Sequence, residues 1–546
     1  MSSKYKIKLK TVSVLLLLLA APLIADKTAS AERTTYEERN GSSNNNGNSN
    51  SNDSSNSNDS SNSNDSSNSN DSSNSNDSLN SNDSSNSNSN SNSNGSANRM
   101  PNMLRSTNSH GTDASYSTAG FIDLDNPFFK SIGTNGRSCA SCHIPSQGWT
   151  ITAKGVQELF EKTEGLDPLF RPVDGANNPE SPHPDQLTLE ERREVYSMLL
   201  NKGNIRVGIG IPADAEFELA DVDDPYGFAS ETELSLFRRP MPSANFKFLS
   251  TVMWDGRETT QDPTSTDCIV GTTNCFSPVS KDLATQSNHA TLGHAEALHD
   301  LSEEEQKAIV DFESGLFSAQ ILDNEAGELT AEKASGGPRA LLEQNYYFGI
   351  NDTLVGDYQT GAAFNPNVMS LYDSWYRYKP TKSSTSIEIA RAAVARGQTL
   401  FNTKPINITG VRGLNDDLDV EVLPGTCTTC HNTPNSGNHS TPMPLDIGIS
   451  DASRRTPDMP LYTLRNKTTG EEIQTTDPGR ALITGKWKDI GRFKGPILRS
   501  VASRPPYFHD GSAADLPAVV DFYNNRFNIG LTKKEKADLV AFLATL

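Results

Sequence analysis

Two five-residue segments constrain this chain more than anything else in it. Cys139-Ala140-Ser141-Cys142-His143 and Cys427-Thr428-Thr429-Cys430-His431 repeat the pattern Cys-x-x-Cys-His, which is the attachment sequence of c-type haem. Two thiols one helical turn apart can form thioethers with the two vinyl groups on one porphyrin edge. The adjacent imidazole then serves as proximal iron ligand. A structural zinc site would need four Cys or His brought together, and a redox dithiol needs no His in the fifth place. The chain has only nine His, so finding one there twice argues for two covalently bound haem c groups. Cys139, Cys142, Cys427 and Cys430 would be the attachment points, with His143 and His431 the iron ligands.

Of the 546 residues, 48 are Lys or Arg and 68 are Asp or Glu, a formal net charge of −20. No basic patch suited to releasing counterions stands out, which argues against a nucleic-acid partner. Residues 41–98 are almost all Ser, Asn, Asp and Gly and cannot bury a core. At the N-terminus Lys4, Lys6, Lys8 and Lys10 precede an apolar run from Val12 to Ile24, and Ala29-Ser30-Ala31 offers a small-x-small cleavage site. The pattern predicts a secretory signal peptide over residues 1–31, then a disordered leader over 32–115. No later stretch is long and apolar enough to span a bilayer. Export, to a periplasm or another oxidising compartment, suits c-type haem.

Cys268 and Cys275 are followed by no His and read as a short-loop disulfide, with a free thiol pair as the alternative. The chain also looks internally duplicated. Leu301-Ser302-Glu303-Glu304-Glu305 and Leu531-Thr532-Lys533-Lys534-Glu535 each place Ser or Thr three residues before Glu, a capping box that starts a helix. Trp254-Asp255-Gly256 and His509-Asp510-Gly511 match in the same order. The stretch from Gly256 to Leu301 exceeds that from Gly511 to Leu531, and the Cys268–Cys275 loop falls inside the excess. Ile387, Ala390, Val394, Gly397 and Phe401 share one helical face, and a further capped helix is expected from Thr188 to about Asn201. These features predict a mostly α fold of two cytochrome c-type domains, with insertions in the first. The boundaries are 116–340, a connector at 341–384, and 385–546.

With these motifs in place, the chain resembles the bacterial dihaem cytochrome c peroxidase family, including its MauG-like branch, which uses peroxide to mature a protein-derived quinone. The resemblance spans roughly residues 116–546. Beyond the haem motifs it is carried by Met253-Trp254-Asp255-Gly256-Arg257, by Leu498-Arg499-Ser500-Val501, and by Pro506-Tyr507-Phe508-His509-Asp510-Gly511. It implies a peroxide site at the N-terminal haem, electron transfer through the C-terminal haem, and Trp254 between them. It also implies a catalytic Gln and Glu over the open face of the first haem, here Gln286 and Glu296. A carboxylate there can move a proton from one peroxide oxygen to the other, so that water leaves. The implied partners are hydrogen peroxide and a small redox donor, a cytochrome c or a cupredoxin.

The chain departs from the family in three places. Many members carry a His upstream of the Trp motif that blocks the first haem, but no His lies between Asn201 and Trp254. The first haem is therefore expected to be open, with His294 as rival ligand. At the distal position of the second haem, Tyr523 stands where the classical peroxidases have Met, as in the MauG-like branch; Met443 and Met459 compete for that role. The Asn that helps hold an interdomain calcium is missing from Phe237-Arg238-Arg239-Pro240-Met241-Pro242, which argues against that ion. Three functions remain: a peroxidase, a MauG-like oxidase of a protein or organic substrate, and a non-enzymatic electron-transfer cytochrome.

Overall fold

The computed structural model describes residues 98–546. The expected signal peptide and nearly all of the Ser/Asn tract lie outside them. The capping boxes form as the sequence requires. Thr188, Ser302, Thr385 and Thr532 each accept from the backbone N–H three residues on, and Glu191, Glu305, Glu388 and Glu535 reach back. They start the helices Leu189–Val195, Glu303–Ser314, Ser386–Thr403 and Lys533–Leu543. The first stops at Tyr196 and a separate short helix, Ser197–Lys202, follows it.

Helix Ser386–Thr403 packs on the closing helix Lys533–Leu543 through Ala390, Val394 and Phe401 against Leu539, Phe542 and Leu543. Gly397 makes this crossing possible, because a β-carbon there would lie 1.9 Å from the carbonyl oxygen of Asp538. Ile387 was expected on the same face but is 45% exposed, at the open end of the contact. The segment read as a connector contributes to this core: Tyr372 and Trp375 are buried and stacked with ring centroids 4.7 Å apart, and Tyr372 also meets Phe542 edge-on.

The expectation of a mostly α fold is wrong. The protein is 30% helical and 18% strand, a mixed α/β architecture with several sheets. A four-stranded antiparallel sheet orders Leu104–Asn108, Gly111–Ser117, Leu316–Asp323 and Gly327–Glu328. A three-stranded sheet joins the halves, pairing Phe217–Asp223 with Leu461–Asn466 and the latter with Glu472–Thr475. The strands are short and lie in stretches that lack a 3.6-residue period, so the sequence gives them no helical or strand signature of their own. Alternation is visible afterwards in Tyr462 and Leu464, which point into a core with Phe217 and Leu236. The structured chain also begins earlier than expected. Arg99–Pro101 and Leu104–Asn108, placed in the leader, are paired strands.

Cys268 and Cys275 are joined as a disulfide. The bridge closes the loop between Trp254 and the helix Val279–Gly293.

Candidate functional site

Both Cys-x-x-Cys-His motifs fold by the same local device. Cys139–Ser141 and Cys427–Thr429 are single 3₁₀ turns. Ser138 N–H donates to Ser141 Oγ at 3.1 Å, and Thr426 N–H to Thr429 Oγ1 at 3.0 Å. The turn carries each His round, its N–H bonded to the carbonyl of the first Cys at 3.0 and 3.2 Å. His143 Nδ1 lies 3.0 Å from the Trp149 carbonyl, and His431 Nδ1 lies 2.6 Å from that of Gly437. A carbonyl can only accept, so Nδ1 carries the proton in both and Nε2 keeps its lone pair. Burial pushes His143 down to about 4 and lowers His431 as well. Both are neutral imidazoles, the form that binds iron.

Each motif walls a largely apolar cavity. The first is lined by Cys139, Cys142 and His143 with Phe246, Leu249 and Ile309 among others. The second is lined by Cys427, Cys430 and His431 with Phe401, Leu445 and Phe493 among others. The four thiols are unpaired, and burial pushes each up to about 12. Among the described residues no three His, Cys, Asp or Glu side chains converge to hold a metal ion, so the zinc reading lacks its ligand set.

Three cations on the cavity walls have no counter-ion among the described residues. Arg239 and Lys494 line both cavities and Arg504 lines the second. Among the described residues none of the three forms an ion pair. Burial, reinforced by the Arg504 charge, pushes Lys494 down to about 7 and Arg239 to about 9; burial takes Arg504 to about 10. Lys494 Nζ donates only to the Thr251 carbonyl at 2.6 Å, and the Nε atoms of Arg239 and Arg504 have no partner. Unpaired buried cations are costly, and the two carboxylates of a haem would supply the missing anions. The residues present therefore fit the group.

Trp254 lies on the wall shared by the two cavities. Its Nε1–H donates to the Arg239 carbonyl at 2.8 Å, and its own carbonyl accepts from Lys494 N–H at 2.9 Å. Beneath it, buried Asp255 sits between Arg238 at 2.5 Å and Arg257 at 3.1 Å. Arg238 also grips Asp477 through Nε and Nη2 at 2.6 and 2.8 Å. Although burial opposes ionisation, the two guanidinium charges hold Asp255 down at about 2. His509 is fully buried, stacked on Phe493 at 4.2 Å and edge-on to Trp254 at 6.4 Å.

The remaining expected residues are divided. Gln286 lines the first cavity. Glu296 does not: its carboxylate accepts from Asn135 Nδ2 at 2.9 Å and borders a separate polar cleft with Arg171 and His183. His294, expected only as a rival ligand, lines the first cavity. Tyr523 and Met443 both line the second, and burial raises the Tyr523 phenol. Met459 instead packs with Met198 and Phe237. Spacing gave no signal for Lys494, Arg504, Asp174 or His439. His439 is a buried imidazole on the second cavity wall, with Nε2 unpartnered.

No protein-family model matches the chain. It is similar to a cytochrome-c peroxidase IdrP1 from Denitromonas iodatirespirans, 32% identical over 241 residues, covering 39% of this chain and 58% of that protein. A cytochrome-c peroxidase IdrP1 from Pseudomonas sp. (strain SCT) is 29% identical over 140 residues, 22% and 36% of the two chains. The cytochrome c551 peroxidase of Nitrosomonas europaea is 40% identical over 76 residues, 14% and 23%. The chain thus spans between about a third and three-fifths of the first curated relatives it matches. A solved structure titled as a MauG-like protein associated with microbial copper homeostasis overlaps 77% of this chain and 87% of its own, at 16% identity and a TM-score of 0.30. With its two haem-attachment motifs, the chain is thus similar over part of its length to bacterial cytochrome c peroxidases.

Proposed function

We propose that this protein is an exported dihaem peroxidase that reduces hydrogen peroxide to water at the cavity of Cys139, Cys142 and His143. Electrons arrive from a small redox protein through the cavity of Cys427, Cys430 and His431. The carrying observation is the position of Trp254, whose side chain belongs to the walls of both cavities and is pinned by Arg239. Haem, when bound, supplies the iron and the electron storage. The chain's own contribution is to hold both imidazoles in the Nδ1–H tautomer, to offer Arg239, Lys494 and Arg504 to the haem carboxylates, and to exclude bulk water with apolar walls. Gln286 is suited to hydrogen-bonding bound peroxide. The halves 116–340 and 385–546 would each carry one haem.

Tyr523 on the second cavity wall supports a second reading, MauG-like oxidation of a protein or organic substrate. An anionic oxygen ligand favours oxidised iron, which suits the storage of oxidising equivalents more than rapid uptake of electrons from a carrier. Stopped-flow mixing of the haem-loaded protein with peroxide separates the two. Steady oxidation of a reduced small cytochrome c or cupredoxin supports the peroxidase. A long-lived oxidised spectrum with no carrier turnover supports the second reading, and no spectral response to peroxide refutes both.

A further inference from the structure

The first cavity needs a group that can move a proton, and the carboxylate expected there points elsewhere. Glu296 is held by Asn135 beside the polar cleft. Two residues earlier, His294 caps the C-terminal end of helix Val279–Gly293 and lines the cavity itself. Its Nδ1 lies 2.5 Å from Asp174 Oδ2. Asp174 is buried, and its other oxygen pairs with Arg137, whose side chain also donates to the carbonyls of Pro168 at 2.8 Å and Leu169 at 2.6 Å. Burial works against the charge, but Arg137 and His294 outweigh it and keep Asp174 below its usual range. An ionised carboxylate only accepts, so Nδ1 is the donor and, in the neutral imidazole, Nε2 carries the free lone pair. Among the described residues Nε2 has no partner. Arg137 stands two positions before Cys139, and it also donates to the His294 carbonyl at 3.2 Å. Arg137 thus ties both Asp174 and the His294 backbone to the segment that leads into the haem motif.

We propose that His294, oriented by Asp174, is the catalytic acid–base residue of the first cavity. This rests on the peroxidase reading. Nε2 takes the proton from one oxygen of hydrogen peroxide and returns it to the other; the O–O bond breaks and that oxygen leaves as water. The remaining oxygen takes two protons from solvent and becomes the second water, and the redox donor protein supplies two electrons, one at a time. The sum is H2O2 + 2 e⁻ + 2 H⁺ → 2 H2O. Asp174 is a positioning residue that stays ionised throughout.

The test compares His294→Ala and His294→Gln with the haem-loaded wild type. The His294 side chain is 40% exposed and makes one side-chain hydrogen bond, so both variants should fold. Cyanide enters as HCN and must give up its proton to bind ferric iron, so its binding rate reads the base without any turnover. Cyanide binding at least tenfold slower, with the ferric spin state unchanged and the peroxide reaction slowed at least ~100-fold, is the expected result. Asp174→Asn should give a smaller loss of the same kind. Unchanged rates overturn the proposal. Conversion of a low-spin to a high-spin ferric signal in His294→Ala overturns it too, since His294 would then be an iron ligand. A larger loss in Glu296→Gln than in His294→Ala returns the role to Glu296 and also overturns it. If wild type ignores peroxide while His294→Ala still slows cyanide, the peroxidase reading fails and His294 remains the base.

Discussion

Replacing Gly397 by Ala should destabilise this protein, although Gly→Ala inside a helix ordinarily stabilises by about 1 kcal/mol. The new β-carbon would stand 1.9 Å from the Asp538 carbonyl oxygen and 2.6 Å from Phe542 Cβ, where real contacts begin near 3.0 Å. The obstacle is backbone of the closing helix, which cannot rotate away, so the two helices must part by about 1 Å. A gap of that size forfeits roughly a quarter to a half of the contact attraction across it, and overpacked cores typically lose about 1–3 kcal/mol. The upper part of that range applies because Ala390, Val394, Phe401, Leu539, Phe542 and Leu543 share the contact. After the propensity gain, the net loss is about 2 kcal/mol, or roughly 2 °C in Tm at ~1 °C per kcal/mol for a cooperative unit of this size. Phe401, Leu539 and Leu543 also wall the second cavity, so the spectrum of that haem should shift with the loss. Scanning calorimetry of the haem-loaded protein decides it, with Gly293→Ala as control, because nothing lies within 4 Å of a β-carbon there. An unchanged or raised Tm for Gly397→Ala would refute this packing argument.

Other outcomes follow from single side chains. Tyr523→Met should raise the potential of the second haem; an unaltered potential and spectrum would remove Tyr523 from its coordination and leave Met443, which shares the cavity wall. Asp255→Asn breaks a buried pair and should cost about 3–5 kcal/mol in urea unfolding; a loss under 1 kcal/mol would contradict the pairing with Arg238. Asp255 also sets an acid limit. Its pKa is about 2 folded against 3.8 as the ordinary value, so its contribution of about 2 kcal/mol is complete above pH 3.8 and is lost as pH falls towards 2. The gap in stability between wild type and Asp255→Asn should narrow over that window, and a constant gap would refute the assignment. Cys427→Ala combined with Cys430→Ala should halve the covalent haem measured by the pyridine haemochrome spectrum, and full haem content would disprove attachment there.

What the sequence made legible was whatever chemistry ties to fixed spacing. The haem motifs, the Thr532 and Ser302 capping boxes and the Trp254 segment depend on residues a few positions apart, and the two capping boxes form as expected. The strands were invisible because pairs such as Tyr462 with Val222 join distant segments of the two halves, and each run is too short for its period to stand out. The counter-charge arrangement was hidden for the same reason. Lys494 and Arg239 look like surface cations until the fold buries them on cavity walls. Glu296 and His294 show the limit of spacing most clearly. They are two residues apart at a helix end, and only the backbone turn after Gly293, with Glu296 at φ 53°, determines which one faces the cavity.

The most direct test of the proposed function is a cyanide titration of the ferric, haem-loaded protein, followed by electron paramagnetic resonance. One cyanide per chain is expected, converting a high-spin signal from the His143 haem to low spin and leaving the second haem untouched. Uptake of no cyanide would make the protein an electron carrier with both irons closed, and uptake of two would abolish the division of labour between the cavities.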